Sequence, residues 1–445
     1  MKNNGYRRIE KLWAYVSVYY QIYPQGFCGA PFENDGVEES RILKVIDWID
    51  HIKEVGANAI YFSPVFESDT HGYNTRDFTK IDKRLGTNED FKEVCDKLHA
   101  NGIKVVLDGV FNHVGRGFWA FQDVLKNREN SPYTSWFSQI SFDGNSNYND
   151  GLWYEGWEGN YDLVKLNLRN EDVINHIFDA IRGWVEEFDI DGLRLDVAYC
   201  LDHDFLRRLR TFTSTLKEDF FLVGETLHGD YNQIMNDSML HSVTNYECYK
   251  GLHSSFNSMN MFEINHSLLR QFGPEQWTLY KGKHLLSFVD NHDVTRVASI
   301  LNNEKHLPLI YILCFGMPGI PCVYYGSEWG AKGRKEEGDP ALRVSFDEPE
   351  SNELTELISK LSECKKNLKA LQYGDFTSVV LTNGQCIFKR EWEGEKVYVG
   401  VNATDQPYYA NFNPDKGELT DEITGEVIKI NNGFEMKPYT GYILR

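Results

Sequence analysis

Carboxylates that end otherwise apolar runs are the residues of this chain best suited to chemistry. Val106-Leu107 leads into Asp108, Asn112 and His113. Leu193-Arg194-Leu195-Asp196-Val197 sets Arg194 and Asp196 two residues apart, on one face of an extended segment. Val223-Gly224 leads into Glu225, and Phe288-Val289 into Asp290, Asn291, His292 and Asp293. A strand has no packing reason to finish this way, and carboxylates buried together are costly unless they are used. If these ends converge, Asp196, Glu225 and Asp293 share a pocket ringed by His113, Arg194 and His292. Such a set suits cleavage of a glycosidic bond. One carboxylate attacks the anomeric carbon, and a second, its pKa raised by burial and negative neighbours, protonates the leaving oxygen. Arg194 is expected to keep the attacking group ionised by direct pairing, with the histidines donating to sugar hydroxyls.

The elements that must position these groups follow from hydrophobic period. Short apolar runs at Ala59-Ile-Tyr-Phe62, Ile103–Leu107, Leu193–Val197, Phe220–Val223, Leu285–Val289 and Ile320–Tyr325 alternate with helical stretches. One predicted helix carries Ile42, Ile46, Ile49 and Ile52 and stops at Gly56. Another opens at Thr87, with Asp90 three residues on, and buries Phe91, Val94 and Leu98. A third places Ile174, Ile177, Ile181, Trp184 and Phe188 on one face. With strands at 16–24 and 242–246 the count reaches eight, the number of a (β/α)8 barrel whose chemistry sits at strand C-termini. The expected divisions are a first part of the catalytic barrel over 1–113, an inserted subdomain over 114–168, the remaining barrel over 169–370, and a C-terminal antiparallel β-sandwich over 371–445. Trp153, Tyr154 and Trp157 in the insert read equally as its core or as a sugar platform.

Composition narrows the partners. The 445 residues carry 46 Lys and Arg against 66 Asp and Glu, a net charge of −20 that repels nucleic acid and anionic membrane. The eight cysteines form no CxxC pair, so neither a zinc site nor a disulfide framework is suggested. The polar start, Met1–Glu10, lacks the apolar core of a signal peptide, and a cytoplasmic protein is expected.

Taken together these motifs resemble the α-amylase family of glycoside hydrolases, over the whole barrel, insert and C-terminal sandwich. Asp108–His113, Asp191–Val197, Glu225 and His292-Asp293 are similar to its strand-three, -four, -five and -seven motifs, and Gly319–Glu328 to its strand-eight signature. The resemblance implies Asp196 as nucleophile, Glu225 as general acid/base and Asp293 as transition-state stabiliser, with retention of configuration. His71-Gly-Tyr73-Asn-Thr-Arg-Asp77 is similar to a family loop, implying that Tyr73 stacks under the scissile sugar and Asp77 binds its hydroxyls. Leu163–Asn167 and Gly338–Arg343 resemble the neopullulanase and cyclomaltodextrinase branch, implying that Asp339 and Arg343 bind a sugar on the non-reducing side; a surface ion pair is the plainer reading.

The chain departs from that branch twice. The barrel begins without the branch's N-terminal β-domain, and Cys200 stands four residues after the nucleophile where many relatives carry His or Glu. No cofactor is required by this chemistry; calcium is possible, with Asn112 the candidate ligand. The function expected is α-1,4 hydrolysis of maltooligosaccharides and cyclodextrins by double displacement, in a chain expected to be monomeric. The alternatives are 4-α-glucanotransfer, α-1,6 or α-glucosidase action, and a catalytically inactive glucan-binding relative.

Overall fold

The computed structural model describes residues 12–445, so the reading of Met1–Glu10 lies outside the described residues. Eight parallel strands form the central sheet: Tyr19–Ile22, Ala59–Phe62, Lys104–Gly109, Gly192–Leu195, Phe221–Gly224, Ser242–Val243, Leu286–Ser287 and Ile320–Tyr324. Numbered along the chain, their lateral order is 6-5-4-3-2-1-8-7. A bridge between Thr244 and Leu286, with the Asn245 N–H on the Leu286 carbonyl at 2.9 Å, closes the sixth strand onto the seventh. The result is the (β/α)8 barrel.

Alternation along each strand builds two cores. Tyr19, Tyr61, Val106, Phe221, Val223, Ile320 and Cys322 point inward and fill the barrel. Their neighbours Tyr20, Ile60, Val105, Leu107, Leu193, Leu222 and Val323 point outward into the helix layer. The helix after the second strand, Asn88–Ala100, begins in the full capping box of Thr87 and Asp90. Glu171–Phe188 is capped by the Asn170 side chain and buries Ile174, Ile177, Ile181, Trp184 and Phe188.

The structure shortens two expected elements. Ile42–Ile52 is not one helix but a 3-10 turn at Arg41–Leu43 and helices at Lys44–Asp47 and Ile49–Glu54. The break falls at Trp48, whose buried ring packs edge-on to Phe27 and tilts against Trp329. The first strand covers only Tyr19–Ile22, because Pro24 opens a short helix, Pro24–Phe27.

Between the third strand and its helix an antiparallel excursion joins His113–Gly115, Gly156–Trp157 and Asn160–Lys165 in one small sheet. The C-terminal segment forms a four-stranded antiparallel sheet of Asp375–Leu381, Gln385–Trp392, Glu395–Asn402 and Thr440–Leu444, with two additional strand pairs. One face of that sheet has its own core, including Ile387, Tyr398 and Tyr442. The other face contributes Phe388, Val399 and Ile443 to the core it shares with the barrel helix Leu307–Gly316. All eight cysteines are free.

Candidate active site

Register brings the polar ends together. Asp108 lies opposite Arg194, and Arg194 opposite Val223, across neighbouring parallel strands. The Asp196 N–H continues the ladder onto the Gly109 carbonyl at 3.2 Å, and the Glu225 N–H onto the Leu195 carbonyl at 2.9 Å. Immediately after Asp196 the chain turns through Val197 at φ 39°, a left-handed conformation unusual for a β-branched residue. That turn aims the Val197 N–H at Glu225 Oε2, 3.0 Å away, and so ties Glu225 to the residue that follows Asp196. The strain is located where two catalytic candidates are aligned.

Arg194 is the hub. Its Nη1 meets Asp108 at 3.0 Å and Asp196 at 3.0 Å, and its Nη2 meets Glu225 at 2.8 Å. Arg194, Asp196 and Glu225 are 3%, 5% and 6% exposed, so these are contacts in a nearly dry environment. Arg194 pairs directly with Asp196, and its one positive charge is also divided with Asp108 and Glu225. Burial raises the pKa of Asp196 well above the carboxylate range, with Glu225 and Asp108 adding to the rise and Arg194 opposing it. Burial also raises Glu225, assisted by Asp293 and opposed by Arg194 and the Val197 N–H. Both carboxyls therefore bind their protons more tightly than exposed ones would, a consequence of burial beside a shared guanidinium.

Asp293 behaves differently. Burial alone would raise it, but His292 and Arg343 overcome that and hold the carboxyl far below its usual range. Its Oδ2 is 3.0 Å from His292 Nε2 and its Oδ1 is 2.9 Å from Arg343 Nη2. The Gln21 amide donates to His292 Nδ1 at 2.8 Å, which places the ring proton on Nε2, facing Asp293 and the Tyr73 hydroxyl. Tyr73 and Tyr61 each donate to Asp108 Oδ2 at 3.0 Å. Asp108 is thus an anchor for Arg194 and two phenols. His113, lowered to about 3 chiefly by burial, is a neutral imidazole whose Nε2 stands 3.7 Å from Asp196 Oδ2.

A cavity of about 440 Å³ opens over these groups, walled by His71, Tyr73, His113, Trp157, Leu163, Asp196, Val197, Tyr199, Glu225, Leu227, Tyr246, Asp293, Val294, Lys335, Asp339 and Arg343. A larger groove, lined by Ser299, Asn302, Arg334 and Glu337 among others, contains none of the buried carboxylates. Of the residues expected to bind sugar, Tyr73, His113, Asp339 and Arg343 line the cavity. Three do not. Arg194 and His292 are spent on carboxylates and on Tyr73, and act on the wall from behind. Asp77 caps its own turn, accepting from the Thr79 N–H and hydroxyl at 2.8 and 2.7 Å. Asp339 is held by Arg343 at 3.1 Å and by Lys335.

Sequence reasoning left out Lys335, Leu227, Val294 and Tyr199. Leu227 and Val294 follow Glu225 and Asp293 by two and one residues, so extending each motif slightly past its carboxylate would have found them. In the insert, Trp157 tilts against His113 at the cavity, whereas Tyr154 is buried under Arg116 and Trp153 bonds Tyr161. The tryptophans and tyrosine thus divide between platform and core.

Calcium requires six to eight oxygens. Asn112 Oδ1 is buried without a hydrogen-bond partner, which would suit a cation. Among the described residues, however, no group of three or more His, Cys, Asp or Glu could hold a metal.

The Alpha-amylase family, described as alpha amylase catalytic domain, matches residues 21–373. The chain belongs to the α-amylase family of glycoside hydrolases. It is 29% identical over 97% of its length to a cyclomaltodextrinase of Thermoanaerobacter pseudethanolicus, and 31% identical over 97% to neopullulanase 2 of Thermoactinomyces vulgaris, spanning 78% of each. Its fold is similar to the cyclic α-maltosyl-(1→6)-maltose hydrolase of Arthrobacter globiformis, at a TM-score of 0.83 and 27% identity over 97% of this chain and 98% of that one. Within the α-amylase family architecture the barrel, its inner carboxylates and the antiparallel C-terminal sheet occupy one continuous structure. No described helix is long and apolar enough to cross a membrane.

Proposed function

We propose that this α-amylase family member hydrolyses α-1,4-glucosidic bonds of maltooligosaccharides and cyclodextrins with retention, in the cytoplasm and as a monomer. The carrying observation is that Asp196 and Glu225, both held on one guanidinium, line one cavity with Asp293, whose carboxyl is held far below its usual range. In the first step Asp196 attacks the anomeric carbon while Glu225 gives its proton to the leaving oxygen. As Asp196 becomes an ester its charge disappears, and Arg194 is left to stabilise the newly formed Glu225 carboxylate. Glu225 then takes a proton from water, which cleaves the ester from the opposite side.

Asp293 keeps no proton to give. It accepts hydrogen bonds from ring hydroxyls, and these tighten as the ring flattens, which lowers the barrier rather than the ground state. Neutral His113 donates its Nε2 proton to a hydroxyl, and Tyr73 supports the ring. The names of the relatives, cyclomaltodextrinase and neopullulanase, support an α-glucan substrate. The charge of −20 supports the absence of nucleic-acid and membrane partners.

A second reading, glucan transfer, draws support from the apolar wall of Val197, Tyr199, Leu227 and Val294, which would favour a sugar face over water at the ester. A time course on maltotriose, maltoheptaose, β-cyclodextrin and pullulan, with and without chelator, separates the readings. Shorter products with cyclodextrin consumed, insensitive to chelator, are expected; longer products would establish transfer. Asp196→Asn is expected to lower the rate at least about a thousandfold, and an unchanged rate would sink the catalytic assignment.

A further inference from the structure

We propose that Tyr148, on the insert, is a stacking platform for a glucose unit upstream of those held at Asp293 and Asp339, with Asp162 accepting that unit's hydroxyls. The inference rests on the α-glucan reading above and extends it to chain length.

Tyr148 keeps 46% exposure although one face of its ring is covered: the Arg116 guanidinium carbon stands 3.8 Å from the ring centroid. Arg116 is itself locked. It pairs with Asp150, bonds the Tyr154 hydroxyl and lies over Phe121. A cation held on one face of a phenol fixes the ring's orientation and leaves its other face bare. That is the geometry of a preorganised platform for the C–H face of a sugar, with little side-chain freedom left to lose on binding.

Backbone contacts place the platform next to the cavity. Arg116 lies between two glycines that press on the loop carrying His71 and Tyr73. The Gly117 N–H donates to Asp69 Oδ2 at 3.1 Å, and a Cβ at Gly115 would stand 2.4 Å from the Asn74 carbonyl oxygen. Asp162 directly precedes Leu163, a residue of the cavity wall. It lies within electrostatic reach of both His71 and Tyr148, and no hydrogen bond or ion pair among the described residues engages its carboxylate. His71 and Leu163 share the cavity wall with Asp339 and Arg343, so Asp162, next to Leu163, borders that same wall.

The test compares KM and kcat of the intact enzyme on maltotriose and maltoheptaose. Tyr148→Ala is expected to raise KM about tenfold on maltoheptaose with kcat unchanged, and to leave maltotriose unaffected. Tyr148→Phe is expected to behave as the unaltered enzyme, since the ring face does the binding. Asp162→Asn, which does not touch the Arg116 stack, should show the same chain-length-selective rise. Equal change on both sugars, or none on either, would overturn the proposal while leaving the hydrolase reading intact. Failure of the unaltered enzyme to turn over either sugar would overturn both.

Discussion

At the scale of single residues, the site is organised by competition for one cation. Arg194 touches Asp108, Asp196 and Glu225, and burial raises both members of the catalytic pair. The rise at Glu225 is in the direction that the proposed role of proton donor needs. Glu225→Gln is expected to lose on the order of a thousandfold in kcat/KM on maltoheptaose but much less in kcat/KM on an aryl maltoside with an acidic phenol, which departs unprotonated. Equal losses on both would remove Glu225 from the acid role. Asp290 offers a separate readout, through stability. Burial lifts it from 3.8 to about 6, against the pull of Arg296 and its bonds from the Val297 N–H and the Ser327 hydroxyl. An acid that binds its proton more tightly when folded stabilises fully below about pH 4 and loses that contribution as pH rises through about 6. Asp290→Asn should flatten the thermal midpoint between pH 4 and 7; an unaltered slope would assign that titration to another group. The convergence of Asp196, Glu225 and Asp293 was legible because each ends an apolar run. The roles of Arg194 and His292 were not, since a sequence does not say whether a side chain faces the cavity or stands behind its wall.

At the scale of elements, legibility followed length. Glu171–Phe188 has five turns over which a 3.6 period can repeat, and its stripe reads directly from the chain. The strands Ser242–Val243 and Leu286–Ser287 have two residues each, too short for any period; the apolar run Leu285–Val289 still marks the second, whereas the first is reached only by completing the count of eight. The insert was legible only as an interruption, since its sheet pairs residues about fifty positions apart, His113 with Lys165 among them. Caps, by contrast, are local signals. In the Thr87 box the hydroxyl accepts from the Asp90 N–H at 3.1 Å and the Asp90 carboxylate accepts from the Thr87 N–H at 2.9 Å. Thr87→Ala is expected to cost about 1 kcal/mol, measured by urea unfolding, without changing kcat. A loss in kcat at full stability would mean that the helix positions the site more tightly than its place outside the barrel implies.

At the scale of the whole molecule, barrel and C-terminal sheet are joined by apolar burial and by Arg390, while the buried Lys365 ties the entry to the eighth strand to the helix that precedes that sheet. Lys365 Nζ donates to the Gly319 and Leu371 carbonyls, each at 2.7 Å, and Arg390 donates to the carbonyls of Gly374 and Gly316. These bonds satisfy chain ends where helices finish, at the opposite end of the strands from the carboxylates, and they keep the barrel floor fixed while the rim does chemistry. The mechanism proposed for the rim is a double displacement through Asp196. Proton NMR of the sugar first released from maltoheptaose, recorded before the anomers equilibrate, tests it most directly. Accumulation of the α-anomer is the expected result, abolished in Asp196→Asn; initial release of the β-anomer would contradict a covalent intermediate at Asp196.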